Sequence, residues 1–240
     1  MNVNIGGGRG WNYPGWRNFD GAEGFPLTPQ TVFPIEDESA PIVYSSHCFE
    51  HLDDATVDRM LTEARRMLAP DGRLVLKLPD FEQVLERWRA GDERYFDQWG
   101  MKDVIPTWER MGVKPTIDAK AAFIFCGWWN DAYGDEFGER HPERAGAYHG
   151  PVPASALVGA YSVILAGGRI PVSPHEISSR FRNFAPSGGH FNHRNAWSRE
   201  QMWASLFAHG FVYAPYDYAW NVPGDLDQFE ISAYFYATTT

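Results

Sequence analysis

Apolar and polar residues alternate over Val3-Asn4-Ile5, and the run stops on Gly6-Gly7-Gly8. A period of two that ends on glycines predicts a short strand opening into a tight loop. A second short strand is predicted over Trp16–Phe19, ending at Asp20. Chain rich in Pro and Thr follows (Pro26, Pro29, Pro34), and Ile42-Val43-Tyr44 then reads as a buried strand. The period changes in "DDATVDRMLTEARRMLAPDG", where Val57, Met60, Leu61, Ala64, Met67 and Leu68 fall on one helical stripe. Asp53 or Asp54 can cap this helix, and Pro70-Asp71-Gly72 is expected to turn the chain out of it. "RLVLKLPD" carries apolar residues on both sides, as a strand covered on both faces does. Strand, helix and strand joined by short links predict a right-handed βαβ unit.

Beyond it, Asp80 and Gln83 form a D-x-x-Q variant of the capping box, with Phe81, Val84, Leu85 and Trp88 turned inward and Gly91 past the helix end. From about Arg94 to Gly189 the pattern loosens, with helical stretches expected over 120–125 and 154–165. A stretch of that length between a strand and the last helix reads as an insertion covering a site, or as an extra packing layer. Regular order returns in "WSREQMWASLFAHGF": Ser198 and Gln201 cap a helix, Met202, Leu206 and Phe207 are expected to pack inward, and Gly210 ends it. Phe211–Tyr213 and Ile231–Tyr236 are predicted as two closing strands.

Charge narrows the classes of partner. The chain of 240 residues has a formal net charge of −10 and no run of Lys or Arg, so it lacks the cationic footprint of a duplex binder. No nucleic-acid partner is expected. The longest apolar stretch, Ala154 to Ala166, is interrupted by serines and a glycine and falls short of the ~20 residues a membrane helix needs. Cys48 and Cys126 show no pairing pattern and no signal peptide precedes the first strand, so a cytoplasmic setting is expected.

Consecutive glycines after a strand let backbone N–H groups approach a ligand, because no Cβ intervenes. In doubly wound sheets, ligands bind at the carboxyl ends of the strands. An acid at the end of the second strand, here Asp20, can accept both ribose hydroxyls of a nucleoside. The plain alternatives are a tight turn for the glycines and a helix cap for Asp20. The twelve residues from Gly8 to Asp20 leave hardly any room for the helix of a dinucleotide unit. The spacing also departs from G-x-G-x-x-G, which argues against a nicotinamide-dependent oxidoreductase.

"NIGGGRGWNYPGWRNFD" resembles the first glycine motif of the class I S-adenosylmethionine-dependent methyltransferases, in the branch with "PGW-x-N-x-D". "VFPIEDESAPIVYSSHCFEHL" is similar to that branch's adenine-side loop and fourth strand, "EARRMLAPDGRLVLKLPD" to its helix, turn and fifth strand, and "HRNAWSREQMWASLFAHGF" to its final helix. The resemblance implies an α/β fold, a Rossmann-like doubly wound sheet of seven strands with the last antiparallel. Residues 1–240 would form a single methyltransferase domain, with about 94–189 as a mainly helical insertion forming part of the substrate site. Two departures stand out: no helix precedes the first strand, and the segment from Asp20 to Phe33 is short for a third strand. By resemblance, Gly6, Gly7 and Gly8 would pass the methionine portion and ribose of S-adenosylmethionine, Asp20 would hold the ribose, Phe33 would flank the adenine, and Ser45, Ser46 and His47 would edge the pocket floor.

Methyl transfer to a hydroxyl needs in-line positioning and a group to take the proton. Of the eight histidines, His47 follows a strand end in "HCFEHL" and His193 precedes the last helix, and these two are the candidate general bases. His141, His149, His175 and His209 carry no readable context. Sister families with an E-x-x-E-H motif hold a divalent metal. The matching positions here are His47, Glu50, His51 and His193, where histidine in place of the first acid would favour a softer ion. The preferred reading uses no metal, with Glu50 and His51 orienting the loop. Trp128, Trp129 and Tyr133 would either wall a substrate or pack in a core. The expected acceptor is a small molecule or glycan precursor methylated on oxygen. A non-catalytic partner that only binds the cofactor is the rival reading.

Overall fold

A computed structural model describes residues 1–8, 10–97, 116–117, 120–121, 124, 193, 195–215 and 232–239. The chain divides into two compact units. The first comprises Met1–Leu78, Glu200–Gln228 and Ser232–Thr240; the second comprises Pro79–Arg199 and Phe229–Ile231.

In the first unit the alternating segments become strands β1 (Asn2–Ile5), β2 (Trp16–Phe19), β3 (Ala40–Ser46), β4 (Leu68–Pro79), β5 (Phe211–Tyr213) and β6 (Ser232–Thr239). They form a mixed sheet in the order β2-β1-β3-β4-β6-β5. Pairs β1–β2, β1–β3 and β3–β4 are parallel, and β5–β6 is antiparallel. Six strands are thus present among the described residues, where seven were expected. Between Asp20 and Phe33 the chain makes a 3-10 turn at Gly21–Glu23 and then an irregular loop, so β2 stands at the sheet edge. Prolines at 26 and 29 lack the N–H that a ladder needs, which is why no third strand forms there.

The long helical stripe is α1 (Asp54–Met67), capped by Asp53, whose carboxylate accepts from Thr56 N at 2.8 Å. Val57, Met60, Leu61, Ala64 and Met67 are buried, as the spacing requires. The expected turn at 70–72 lies inside β4. Two steps along β3, from Ala40 to Ile42, match five along β4, from Leu68 to Arg73, so Pro70-Asp71-Gly72 is a bulge. A Cβ at Gly72 would lie 2.9 Å from the carbonyl oxygens of both Ala40 and Ala69, and so only glycine fits that crossing.

Helix α4 (Arg199–Ala208) starts directly after Ser198 and is followed by Gly210 at φ +77°. It buries Met202 and Leu206, but Phe207 is 55% exposed and stacks on Trp203 (5.6 Å between centroids, 28°). The expectation that Phe207 faces the core is corrected: Trp203 turns towards Phe235 and Tyr213 of the closing strands, and Phe207 covers its outer side.

In the second unit α2 (Phe81–Arg89) begins as the capping box predicts. Asp80 accepts from Gln83 N at 3.2 Å, and Gly91 follows the end at φ +68°. Asp80 also binds the guanidinium of Arg199. A short helix α3 (Glu93–Phe96) buries Tyr95 and Phe96. This unit begins at Pro79, earlier than the expected start of the insertion near residue 94. Most of that insertion lies outside the described residues, with the helical stretch over 154–165, Trp128, Trp129, Tyr133, His141, His149 and His175 among it. Among the described residues no helix is long and apolar enough to cross a membrane.

Candidate functional site

Strand order reverses between β1 and β3, and the carboxyl ends of these two strands carry the residues singled out by sequence. After β1 come Gly6 and Gly8 at φ +77° and +71°. The three glycines have different reasons for lacking a side chain. A Cβ on Gly6 would run into the side chain of Cys48, and one on Gly7 would run into the amide of Asn4 and come within 3.0 Å of Trp11. Only Gly8 faces open space. The close approach expected for a ligand is, at Gly6 and Gly7, an approach of the protein to itself.

The N–H groups of all three glycines point to β2 and its end. Gly6 N donates to the Phe19 carbonyl at 2.8 Å, Gly7 N to Asn18 Oδ1 at 3.2 Å, and Gly8 N to Asp20 Oδ2 at 3.0 Å. This corrects the expectation that the loop offers its donors outward. Asp20 also caps the following 3-10 turn, its other oxygen accepting from Ala22 N at 2.7 Å. Both plain alternatives weighed for these residues, turn and cap, are therefore realised in the geometry. They leave a carboxylate with further lone pairs, since each oxygen takes one backbone donor.

Asn18, the asparagine of "PGW-x-N-x-D", was given no role from sequence. Its Oδ1 accepts from Gly7 N and from Asn4 Nδ2 (3.1 Å), while its Nδ2 donates to Gly8 O and Glu23 Oε2, both at 3.0 Å. A signal existed. Asn4 and Asn18 are polar residues inside strands, and the parallel register sets them opposite each other. Asn4 is buried to 1% exposure, with Oδ1 lacking a hydrogen-bond partner among the described residues.

Phe33 lies in the core, 1% exposed, 4.9 Å from Phe19 and stacked on Phe25 at 5.4 Å and 17°. A ring so enclosed presents no face outward; its neighbour Val32, 60% exposed, does. The loop that carries both is clamped by α1. Glu63 Oε2 accepts from Phe33 N at 2.9 Å, Arg59 Nε donates to Thr31 O at 2.6 Å, and Arg66 donates to the carbonyls of Phe33 and Ile35 and to Asp37. Burial would raise the Glu63 carboxyl. The hydrogen bonds from Arg66 and Phe33 N, with the charges of Arg66 and Arg59, outweigh it and hold the group below the usual glutamate range.

At the end of β3, Ser45 is buried and its hydroxyl donates to the Ile5 carbonyl at 2.8 Å, tying β3 to β1. Ser46 is the last residue of the strand. His47 follows at φ +47°, a backbone region rare for a residue with a side chain. Its N–H bonds to Lys77 O at 2.9 Å, its Nδ1 lies 3.2 Å from the fully buried Glu50 carboxylate, and its Nε2 lies 3.0 Å from Ser232 Oγ. A carboxylate beside Nδ1 favours the proton there, leaving Nε2 to accept from Ser232. His51 Nε2 is 4.0 Å from the same Glu50 oxygen. The candidate metal positions of this unit thus comprise one carboxylate and two imidazoles. His193 belongs to the second unit, where it is buried with its ring 5.9 Å from Phe81. His209 is structural: it bonds to Ser205 O and pairs with Asp58.

Cys48 sits beneath Gly6. Burial, followed by the charges of Glu50 and Asp20, pushes its thiol well above the ordinary range, despite a hydrogen bond with Ser45. It is a packing group and not a nucleophile.

Residues 26–76 match the family model described as a methyltransferase domain, which bears out the resemblance read from the sequence over α1, β3 and the start of β4. No curated protein matches the chain. Among solved structures, the complex between the Haloferax volcanii Trm112 methyltransferase activator and the methyltransferase is 19% identical, covering 37% of this chain and 49% of that one, with a TM-score of 0.27. An S-adenosylmethionine-dependent methyltransferase from Mesorhizobium loti is also 19% identical, covering 34% of this chain and 48% of its own, with a TM-score of 0.28. YcgJ from Bacillus subtilis is 17% identical, covering 57% and 80%, with a TM-score of 0.28. The chain spans about half the length of the first two.

Proposed function

We propose that this protein, which carries the methyltransferase-domain pattern over residues 26–76, is an S-adenosylmethionine-dependent methyltransferase acting on a hydroxyl of a small molecule or glycan precursor. The observation that carries the reading is the state of the glycine loop. A dinucleotide cofactor places its pyrophosphate on outward backbone N–H groups. Here those of Gly6, Gly7 and Gly8 are all engaged by β2 and its end. S-adenosylmethionine carries no phosphate: its sulfonium, amino group and ribose hydroxyls call for acceptors, and its one carboxylate would take donors other than these three N–H groups. Its cationic and hydroxyl groups are suited by acceptors, and the loop is flanked by Asp20 and Glu23. The residues present therefore fit the sulfonium nucleoside better than a nicotinamide dinucleotide.

On this reading Gly8 gives the ribose side its open approach, and the spare lone pairs of Asp20 accept the ribose hydroxyls. When bound, S-adenosylmethionine supplies an activated methyl group whose bond to sulfur breaks with the electron pair leaving on sulfur. His47 takes the acceptor's hydroxyl proton on Nε2 as the new carbon–oxygen bond forms, and Glu50 faces the imidazolium so produced. Ser232 must yield its place on Nε2 to the acceptor. No step uses a metal.

A thermal-shift comparison tests the cofactor. At a hundred times its dissociation constant, S-adenosylhomocysteine is expected to stabilise the protein by about 2.7 kcal/mol, with no shift from NAD. Stabilisation by NAD alone overturns the proposal.

A further inference from the structure

We infer that Asn18 is the specificity-determining residue of the glycine loop: it turns the loop away from phosphate and towards an unphosphorylated nucleoside. The inference rests on the cofactor reading above and goes beyond it by assigning the selection to one side chain.

Asn18 makes four hydrogen bonds, the full capacity of its two amide donors and two carbonyl lone pairs. Two of them act on consecutive glycines in opposite senses. Oδ1 draws in the N–H of Gly7, and Nδ2 draws in the carbonyl of Gly8. With Gly8 N held by Asp20, both backbone polar groups of Gly8 and the donor of Gly7 are fixed by residues of one short segment. Glycine backbone has little preference of its own, so such a loop takes its shape from what grips it.

The other bonds set where the grip sits. Asn4 Nδ2 supports Oδ1 from the neighbouring strand, so the amide cannot flip without placing two donors against each other. Glu23 accepts from Nδ2 and brings a second carboxylate next to that of Asp20. Two acids beside three consecutive glycines whose N–H groups are all engaged repel a phosphate and favour a positive charge. At Gly7 and Gly8 the backbone could bind an anion only if one of them released its N–H. Asn18 prevents this at Gly7, and Asp20 at Gly8.

The test compares S-adenosylhomocysteine with 5′-AMP by calorimetry at constant ionic strength, in the wild-type protein, Asn18→Ala and Asn18→Asp. The wild type is expected to bind S-adenosylhomocysteine and to discriminate against 5′-AMP. Asn18→Ala frees Gly7 N and Gly8 O, and its preference for S-adenosylhomocysteine over 5′-AMP is expected to fall about tenfold or more. Asn18→Asp retains the acceptor for Gly7 N but loses the donor to Gly8 O. It is expected to weaken S-adenosylhomocysteine binding while still rejecting 5′-AMP, which a merely structural role would not separate. The wild-type melting profile kept by Asn18→Asp shows the unit folded. An unchanged selectivity ratio in Asn18→Ala overturns the inference while the cofactor reading stands. A wild type that ignores S-adenosylhomocysteine overturns both.

Discussion

Replacement of His47 by asparagine is expected to lower methyl transfer by about 10²–10⁴-fold, the range for loss of a positioned general base, with S-adenosylhomocysteine affinity unchanged. The choice of asparagine follows from the backbone. His47 stands at φ +47°, where alanine would add strain of its own, whereas asparagine tolerates the left-handed region. The lost imidazole is then separated from a lost conformation. Turnover within threefold of wild type would remove His47 from the chemistry. Glu50→Gln should give a smaller loss, because it removes only the charge that faces the imidazolium. His193, the other candidate base, is tested by the parallel substitution.

The largest stability effect is expected at Glu63. Glu63→Ala leaves the Phe33 N–H without its acceptor and Arg66 and Arg59 without their carboxylate. Removing one member of a buried ion network costs about 3–5 kcal/mol. Arg66 and Arg59 are each about a quarter exposed, so the low end, about 3 kcal/mol by urea unfolding, is expected. The pH dependence has a definite sign. Because the folded carboxyl titrates below the ordinary glutamate value of about 4.3, its contribution is complete above that value. It is lost as pH falls through the folded value. The gap in stability between wild type and Glu63→Gln should therefore be constant near neutrality and close on acidification. A gap that persists unchanged to pH 2 would show that the charge contributes nothing. The same variants should loosen the loop from Thr31 to Asp37, read as faster amide exchange there.

The parts legible from sequence are those with a long period. Six apolar positions on one stripe placed α1, and a strand apolar on both sides placed β4 in the sheet interior. Local capping chemistry located the start of α2. Less legible was everything set by contact across the sheet. Nothing in the helical stripe marked Glu63, yet it is buried because the returning loop offers it an N–H. Phe33 read as a pocket wall, but two further phenylalanines close over it. The glycines signalled close approach correctly and the wrong partner, since a missing Cβ does not say what fills its place. Asn18 stood in the "PGW-x-N-x-D" motif without a role, because a polar residue in an edge strand is ordinary until its neighbour, Asn4, is known to face it.

The position of β6 has a consequence for biosynthesis. It is the latest described strand in the chain, yet it lies between β4 and β5, where Thr238 Oγ1 bonds to Gly72 O and accepts from Arg73. While a ribosome is still translating the preceding residues, β4 has an open flank of unpaired amides and carbonyls, a template for pairing with another nascent chain. The polypeptide should therefore depend on holdase protection until β6 emerges, and deletion of β6 should send it into inclusion bodies.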